Sequence, residues 1–278
     1  MTIVVTGATG NVGRPLVQAL VDAGEKVRAV SRHPGRAELP GGVEVVESAT
    51  AATAGASAVF LNSRALRDDL GAVIDQARHD GVRRLVALSA INADDDFSLQ
   101  PSRFRGDRNK EVEQLAIDSG LEWVSLRPTP FATNFVGMWA GQLAAGDVIY
   151  GPYASASIAP IADADISVVA AQALLGDDLV GQKIPLTGPQ SLTNAQMVDT
   201  IAAVLDRPLR YQEIPPDVVR ERFAALGLGA EFGAAYVALL ASTLDQPAIV
   251  TDDVEKILGR PATTFEQWVS QHRNLFTQ

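Results

Sequence analysis

Met1-Thr-Ile-Val-Val-Thr-Gly-Ala-Thr-Gly-Asn-Val-Gly13 opens the chain, and its reading decides the fold. Ile3-Val-Val5 is a short β-branched run that reads as a buried strand. Gly7, Gly10 and Gly13 follow at G-x-x-G-x-x-G spacing, and Arg14–Gly24 reads as a helix with Leu16, Val17, Leu20 and Val21 as its buried stripe. A strand, a glycine turn and a helix aimed back at the turn make a phosphate site. Gly7 allows the sharp turn, Gly10 lets backbone approach a pyrophosphate, and Gly13 lets the helix pack close on the strand. Thr9, Asn11 and Val12 complete the loop, whose free N–H groups and positive dipole end face the anion. The context of strand before and helix after, with a second strand at Lys26–Ser31, points to a dinucleotide.

The 278 residues can hold one large domain, or a domain with a smaller lobe. A net charge of −10 argues against nucleic acid as a partner. Cysteine is absent, which excludes disulfides and thiol catalysis, and the three histidines (His33, His79, His272) are too scattered for a metal site. No apolar run reaches membrane-spanning length and no leader precedes the first strand, so a cytoplasmic protein acting on a small molecule is the expectation.

Arg32 stands just beyond the second strand, where an acidic residue would hold the ribose 2′-OH of NAD and an arginine accommodates the 2′-phosphate of NADP. With Arg14 and Arg36 close in sequence, the expectation is NADPH. Val43–Val46 and Ala58–Leu61 read as the next strands, and Glu47–Ser57 between them has room for a turn or two of helix at most. Such a short crossover would leave adenine more openly held. A helix over Arg64–Asp80 and a strand over Arg84–Leu88 follow, placing Asn62, Ser63 and Ser89 at strand carboxyl ends, where ligands of open α/β sheets bind. Ala93–Arg108 is a polar loop. Asn109–Ser119 reads as a helix with Val112, Leu115 and Ala116 inward, and Glu122–Leu126 as a strand.

Pro128 and Pro130 fix an extended segment beyond that strand, which suits laying the backbone of Pro128 and Thr129 beside a flat ring. Phe131, Phe135, Met138 and Trp139 then recur at helical spacing. A core stripe and the wall of an apolar substrate pocket are both open readings, the second adding Tyr153. Ser167–Leu175 reads as a helix, Lys183–Gly188 as a strand, and the remainder as mostly helical. Alternation to about residue 130 and helices afterwards imply an α/β fold, a doubly wound parallel sheet with a smaller, mainly helical capping lobe. The expected division is 1–150 and 151–278, with 160–187 returning to the first. Apolar helices in the last sixty residues would permit a homodimer.

Val5–Gly13, Gly120-Leu-Glu-Trp-Val-Ser-Leu-Arg-Pro128, Ile161-Ala-Asp-Ala-Asp-Ile166, Leu186-Thr-Gly-Pro-Gln-Ser-Leu-Thr193 and Val250–Gly259 together resemble the NmrA-like group of atypical short-chain dehydrogenases/reductases, in which triphenylmethane-dye reductases and NADPH:quinone oxidoreductases occur. The resemblance implies a Rossmann-type lobe and a nicotinamide site lined by the loops after Leu61, Leu88 and Leu126. Carbonyl-reducing relatives use Tyr-x-x-x-Lys. Here Ala154, Ser157, Pro215 and Leu240 stand four beyond Tyr150, Tyr153, Tyr211 and Tyr236, and Asn109 takes the lysine position with Arg105 four before it. The usual acid, worth about 10²–10⁴-fold in rate, is missing. Two functions stay open: a reductase of a quinone-like or conjugated acceptor with Asn109 as catalytic residue, or a non-catalytic NAD(P)-binding redox sensor acting through a protein partner.

Overall fold

The computed structural model describes residues 1–277. In chain order the first stretch carries β1 (Thr2–Thr6), α1 (Gly13–Asp22), β2 (Lys26–Val30), β3 (Glu44–Val46), β4 (Ala58–Asn62), α2 (Ser63–Leu66), α3 (Leu70–His79), β5 (Arg84–Leu88), α4 (Asn109–Asp118) and β6 (Glu122–Pro128). It continues with α5 (Thr133–Ala145), β7 (Val148–Gly151), β8 (Ser157–Ile158), α6 (Asp163–Leu175), β9 (Lys183–Leu186), β10 (Leu192–Thr193), α7 (Asn194–Leu205) and β11 (Arg210–Glu213). Four helices end it: α8 (Pro216–Ala225), α9 (Ala230–Ala241), α10 (Asp253–Leu258) and α11 (Phe265–Gln271).

Seven strands form one sheet in the order β3-β2-β1-β4-β5-β6-β9, and the pairs from β3 to β6 are all parallel. This is the Rossmann arrangement, with order reversing between β1 and β4. β5 is buried at every residue, as a strand covered on both faces must be. The β3-to-β4 crossover is as short as its sequence demands, holding one 3₁₀ turn at Ala51–Thr53. Arg28 pins it by donating Nη1 to Ala52 O (2.5 Å) and Ala54 O (2.9 Å), and Thr53 Oγ1 reaches Asp80 Oδ2 at 2.6 Å.

The chain divides into two compact units. The first comprises Met1–Ala93, Gly106–Pro128 and Asp163–Pro185; the second comprises Asp94–Arg105, Thr129–Ala162 and the chain from Leu186 onward. The first break after the sheet falls at Pro128, not at residue 150, because Ala132, Phe135, Trp139, Leu143, Ile149, Ala156 and Ile158 all pack into the second unit's core. That core joins Phe135, Trp139, Leu143, Ile149, Met197, Phe265 and Trp268, all buried. Within this unit β7 pairs with β11 and β8 with β10.

Three local expectations are corrected. The helix over 64–80 is broken: α2 ends at Leu66, Arg67 follows with φ +52°, and a 3₁₀ turn over Arg67–Asp69 precedes α3. α6 begins at Asp163 rather than Ser167, so Asp163 and Asp165 lie in its first turn, buried, where carboxylates complement the helix dipole. On α4, Leu115 is 38% exposed and the inward position belongs to Glu113.

Glu113 is buried because three donors meet it. Arg127 gives Nη2 to Oε1 (2.5 Å) and Nε to Oε2 (2.8 Å), Lys183 approaches to 2.7 Å, and Ser125 Oγ donates at 2.5 Å. These groups tie α4, β6 and β9 together. Arg84, 1% exposed, does the same at the other end of the sheet. It holds Glu122 and Asp177, and it donates to the carbonyls of Ala173 and Gly176 at the end of α6, satisfying acceptors that a helix C-terminus leaves open.

Burial pushes the Glu113 carboxyl up, but Arg127, Lys183 and Ser125 outweigh it and hold it at about 2, below the ordinary 4.5. Its stabilising effect is therefore complete above pH 4.5 and is lost as pH falls toward 2. Glu113→Gln is expected to cost roughly 3–5 kcal/mol at neutral pH, as when one member of a buried ionic group is removed. Chemical denaturation at neutral and acid pH checks this, and the gap between the two proteins should narrow in acid.

Candidate functional site

The first unit's glycine turn is built by contacts that leave no room for side chains. Gly7 has φ +66°, and a Cβ there would lie 3.1 Å from Asn62 Nδ2. At Gly13 a Cβ would fall 2.1 Å from Gly7 O and 2.8 Å from Ala8 Cα, so the start of α1 rests directly on the turn. The turn closes by Gly10 N–H to Gly7 O and Arg14 N–H to Gly10 O, both 3.0 Å. Thr9, Gly10 and Asn11 are exposed, and no side chain caps α1 at Val12. An exposed, glycine-kept helix start with no acidic residue in its first turn is what a pyrophosphate requires.

The elements beside it are held from below. Thr6 Oγ1 donates to Phe60 O and accepts from Asn62 N–H, both at 2.8 Å, locking β1 to β4 beneath the turn. Asn62 then caps α2 by accepting from Ala65 N–H at 3.1 Å. Ser63 Oγ accepts from Arg108 N–H at 3.0 Å, and Ser89 Oγ donates to Asn109 O at 2.9 Å. Ser63 and Ser89 are both buried, so the two serines seat the start of α4 against β4 and β5. The structure thus brings Asn62, Ser63, Ser89 and Asn109 into one connected set at the strand carboxyl ends. Val12 is tied in by Ser167 Oγ, which donates to its carbonyl at 2.8 Å.

Arg32 is exposed beyond β2, while Ser31 beside it is buried and its Oγ accepts from His33 N–H at 3.2 Å. Arg14 donates Nη1 to Glu38 O at 2.6 Å, and the two residues share a groove of about 480 Å³ with Pro15, Gln18, Leu39 and Pro40.

The residue 7–174 stretch matches the family model described as NAD(P)H-binding. The chain belongs to the NAD(P)H-binding family. This agrees with the resemblance of its sequence to the NmrA-like atypical reductases. It is 34% identical, over 99% of both chains, to (4-alkanoyl-5-oxo-2,5-dihydrofuran-3-yl)methyl phosphate reductase of Streptomyces griseus, and 29% identical over the same share to NAD(P)H azoreductase of Xenophilus azovorans. The fold is that of an Escherichia coli NADPH-dependent quinone oxidoreductase solved with NADPH (TM-score 0.82, 21% identity, 99% of this chain and 100% of that one). A Citrobacter sp. triphenylmethane reductase solved with NADP(H) matches at TM-score 0.81 and 20% identity, over 98% and 99% of the two chains. Among the described residues no helix is long and apolar enough to cross a membrane.

For an NAD(P)H-binding chain, the remaining expected residues lie less simply. Pro128 ends β6 and its carbonyl accepts from Ile91 N–H. Thr129, in the second unit, is 6% exposed and gives its hydroxyl to Ala159 O at 2.5 Å, so that hydroxyl is already engaged. Phe135 and Trp139 are corrected to the core reading. They are 0% and 3% exposed, with ring centroids 5.0 Å apart and Phe265 edge-on to Phe135 at 5.8 Å, and present no open face. Phe131 forms a bridge with Ile161, and Tyr153, half-buried at φ +47°, packs against the same core. Sequence reasoning missed Thr6 and the inward Glu113. A charged residue between Val112 and Ala116 on an amphipathic helix was the available signal for the latter.

The two later glycines are expected to separate fold from binding. Gly13→Ala should unfold or strongly destabilise the first unit. Gly10→Ala, whose Cβ meets only Gly7 O at 3.3 Å, should leave the melting temperature nearly unchanged while weakening NADPH roughly tenfold or more, about 1.4 kcal/mol. Melting curves and calorimetric titration of each variant read the two effects.

Proposed function

We propose that the protein is an NADPH-dependent oxidoreductase that reduces a planar, apolar, electrophilic small molecule, a quinone-like or conjugated carbonyl acceptor. The observation that carries this reading is the pairing of an exposed glycine-built phosphate turn with an exposed Arg32 at the end of β2. Bound NADPH supplies hydride. Asn11–Gly13 hold its pyrophosphate by backbone N–H groups, and the planar guanidinium of Arg32 pairs with the 2′-phosphate, with Arg14 adding charge beside it.

Asn109, at the first turn of α4, presents an amide where carbonyl-reducing relatives have a lysine. It holds ribose hydroxyls or orients a water, since an amide hydrogen-bonds without supplying a strong acid. Ser89 fixes its backbone by donating its hydroxyl to the Asn109 carbonyl at 2.9 Å. Conjugated acceptors suit such a site, because hydride can be delivered to them before any proton is needed, leaving positioning as the main demand. The names of the two curated relatives support this: one acts on an unsaturated oxo-dihydrofuran phosphate and the other is an azoreductase.

Calorimetric titration is expected to show NADPH binding at least tenfold tighter than NADH. Arg32→Gln should remove most of that preference, about 10–100-fold in NADPH affinity for a charged hydrogen-bonded pair, and leave NADH binding unchanged. NADPH should be oxidised on adding a quinone. Equal binding of NADH and NADPH would contradict the assignment of Arg32. Preferential binding of the oxidised forms, with no turnover by any acceptor, would favour the redox sensor.

A further inference from the structure

The short helix α2, Ser63–Leu66, touches both halves of the first unit's site. On one side it packs on the glycine turn: a Cβ at Gly7 would lie 3.1 Å from Asn62 Nδ2 and 3.3 Å from the Ala65 methyl. On the other it meets the segment leading into α4. Arg64 grips Asp107 at two points, donating Nε to Oδ1 at 3.1 Å and Nη2 to Oδ2 at 2.5 Å. Next to it Ser63 Oγ accepts from Arg108 N–H at 3.0 Å. Arg67 ends α2 at φ +52° and ψ −124°, a conformation that a residue with a side chain takes only when its surroundings enforce it.

α4 is seated by such outside contacts. Arg108, at its N-cap position, supplies no side-chain cap, and Gly106 just before it has φ +97°. Side chains from elsewhere in the unit hold the first turn instead: Ser63 and Arg64 from α2, and Ser89 from the end of β5, bonded to Asn109 O. The two serines are buried, whereas the Arg64 side chain is 48% and that of Asp107 19% exposed. An ion pair this exposed adds little to global stability. What a two-point guanidinium–carboxylate contact does supply is direction.

We infer that the Arg64–Asp107 pair is a positioning element of the cofactor site. It sets the spacing between the glycine turn, which holds the pyrophosphate, and Asn109, whose amide meets the ribose next to the nicotinamide. The inference rests on the reductase reading and adds two residues to it. Arg64 and Asp107 act through α2 and the first turn of α4. Asp107 also lies at the positive end of the α4 dipole, so removing Arg64 and keeping the aspartate isolates the pair.

Arg64→Gln is the variant to make, with Arg64→Lys beside it. Hydrogen exchange of the cofactor-free protein comes first. The amides of Arg108 and Val112, bonded to Ser63 Oγ and to Arg108 O, are expected to exchange about three- to fivefold faster in Arg64→Gln, with the melting temperature within about 2 °C of wild type. Calorimetry should then show NADPH and NADH weakened equally, about three- to fivefold, so that the preference between them is unchanged. With quinone as acceptor kcat should fall by a similar factor at constant quinone KM. Arg64→Lys, which keeps the charge without the two-point fork, should lie between wild type and Arg64→Gln in every readout. Unchanged exchange at Arg108 and Val112, or full retention of kcat in Arg64→Gln, would overturn the inference. Loss of NADPH affinity alone, with NADH unaffected, would overturn it too, by making Arg64 a ligand of the 2′-phosphate. Exchange is read without cofactor, so failure of the pair to position α4 is distinct from failure of the wild type to bind or oxidise NADPH.

Discussion

A carbonyl oxygen governs this molecule. Gly7 O lies where the Cβ of any residue but glycine at position 13 would have to go, 2.1 Å away. Accepting that approach brings the first turn of α1 onto the end of β1, and from there the helix, the parallel strands behind it and the exposed loop Thr9–Asn11 take their places. Phosphate recognition by backbone groups depends on this closeness, because N–H donors gain strength when fixed and aimed before the anion arrives. Thr6 and Ser167 serve the same end by fixing the turn from β4 and α6.

Charge inside the first unit has a parallel task. Glu113 with Arg127 and Lys183, and Arg84 with Glu122 and Asp177, join α4, β6, β9 and the end of α6 at points where apolar contact alone would specify no unique register. Such groups are costly to bury and costlier to break. Their effect at the site is positional: α4 carries Asn109 at its first turn, and the anchoring of α4 decides where that amide stands. The second unit uses aromatic packing instead, with Phe135, Trp139, Phe265 and Trp268 at its centre.

Much of the first unit could be read from local chemistry. β-branched runs gave the strands, and the glycine spacing marked the turn, because both are short-range constraints on backbone shape. The crossover at 47–57 was legible as short from its length alone. Less visible were features set by partners far away in sequence. Leu115 looks inward by period, yet Glu113 takes that place because Arg127 and Lys183 wait on β6 and β9. The pattern over 64–80 continues through Arg67 although the backbone turns there. Helical spacing of Phe131, Phe135 and Trp139 was equally compatible with core and with pocket, and only the packing against Phe265 decides for the core.

One experiment bears most directly on hydride delivery from this site. NADPH carrying deuterium at the transferable C4 position is bound to the protein and mixed anaerobically with a quinone in a stopped-flow instrument. The proposed chemistry predicts single-turnover oxidation of the cofactor, slowed by the heavier isotope, with the label lost from the nicotinamide. Bound NADPH that survives unchanged with every quinone, or oxidation with no isotope effect and the label retained, would contradict it.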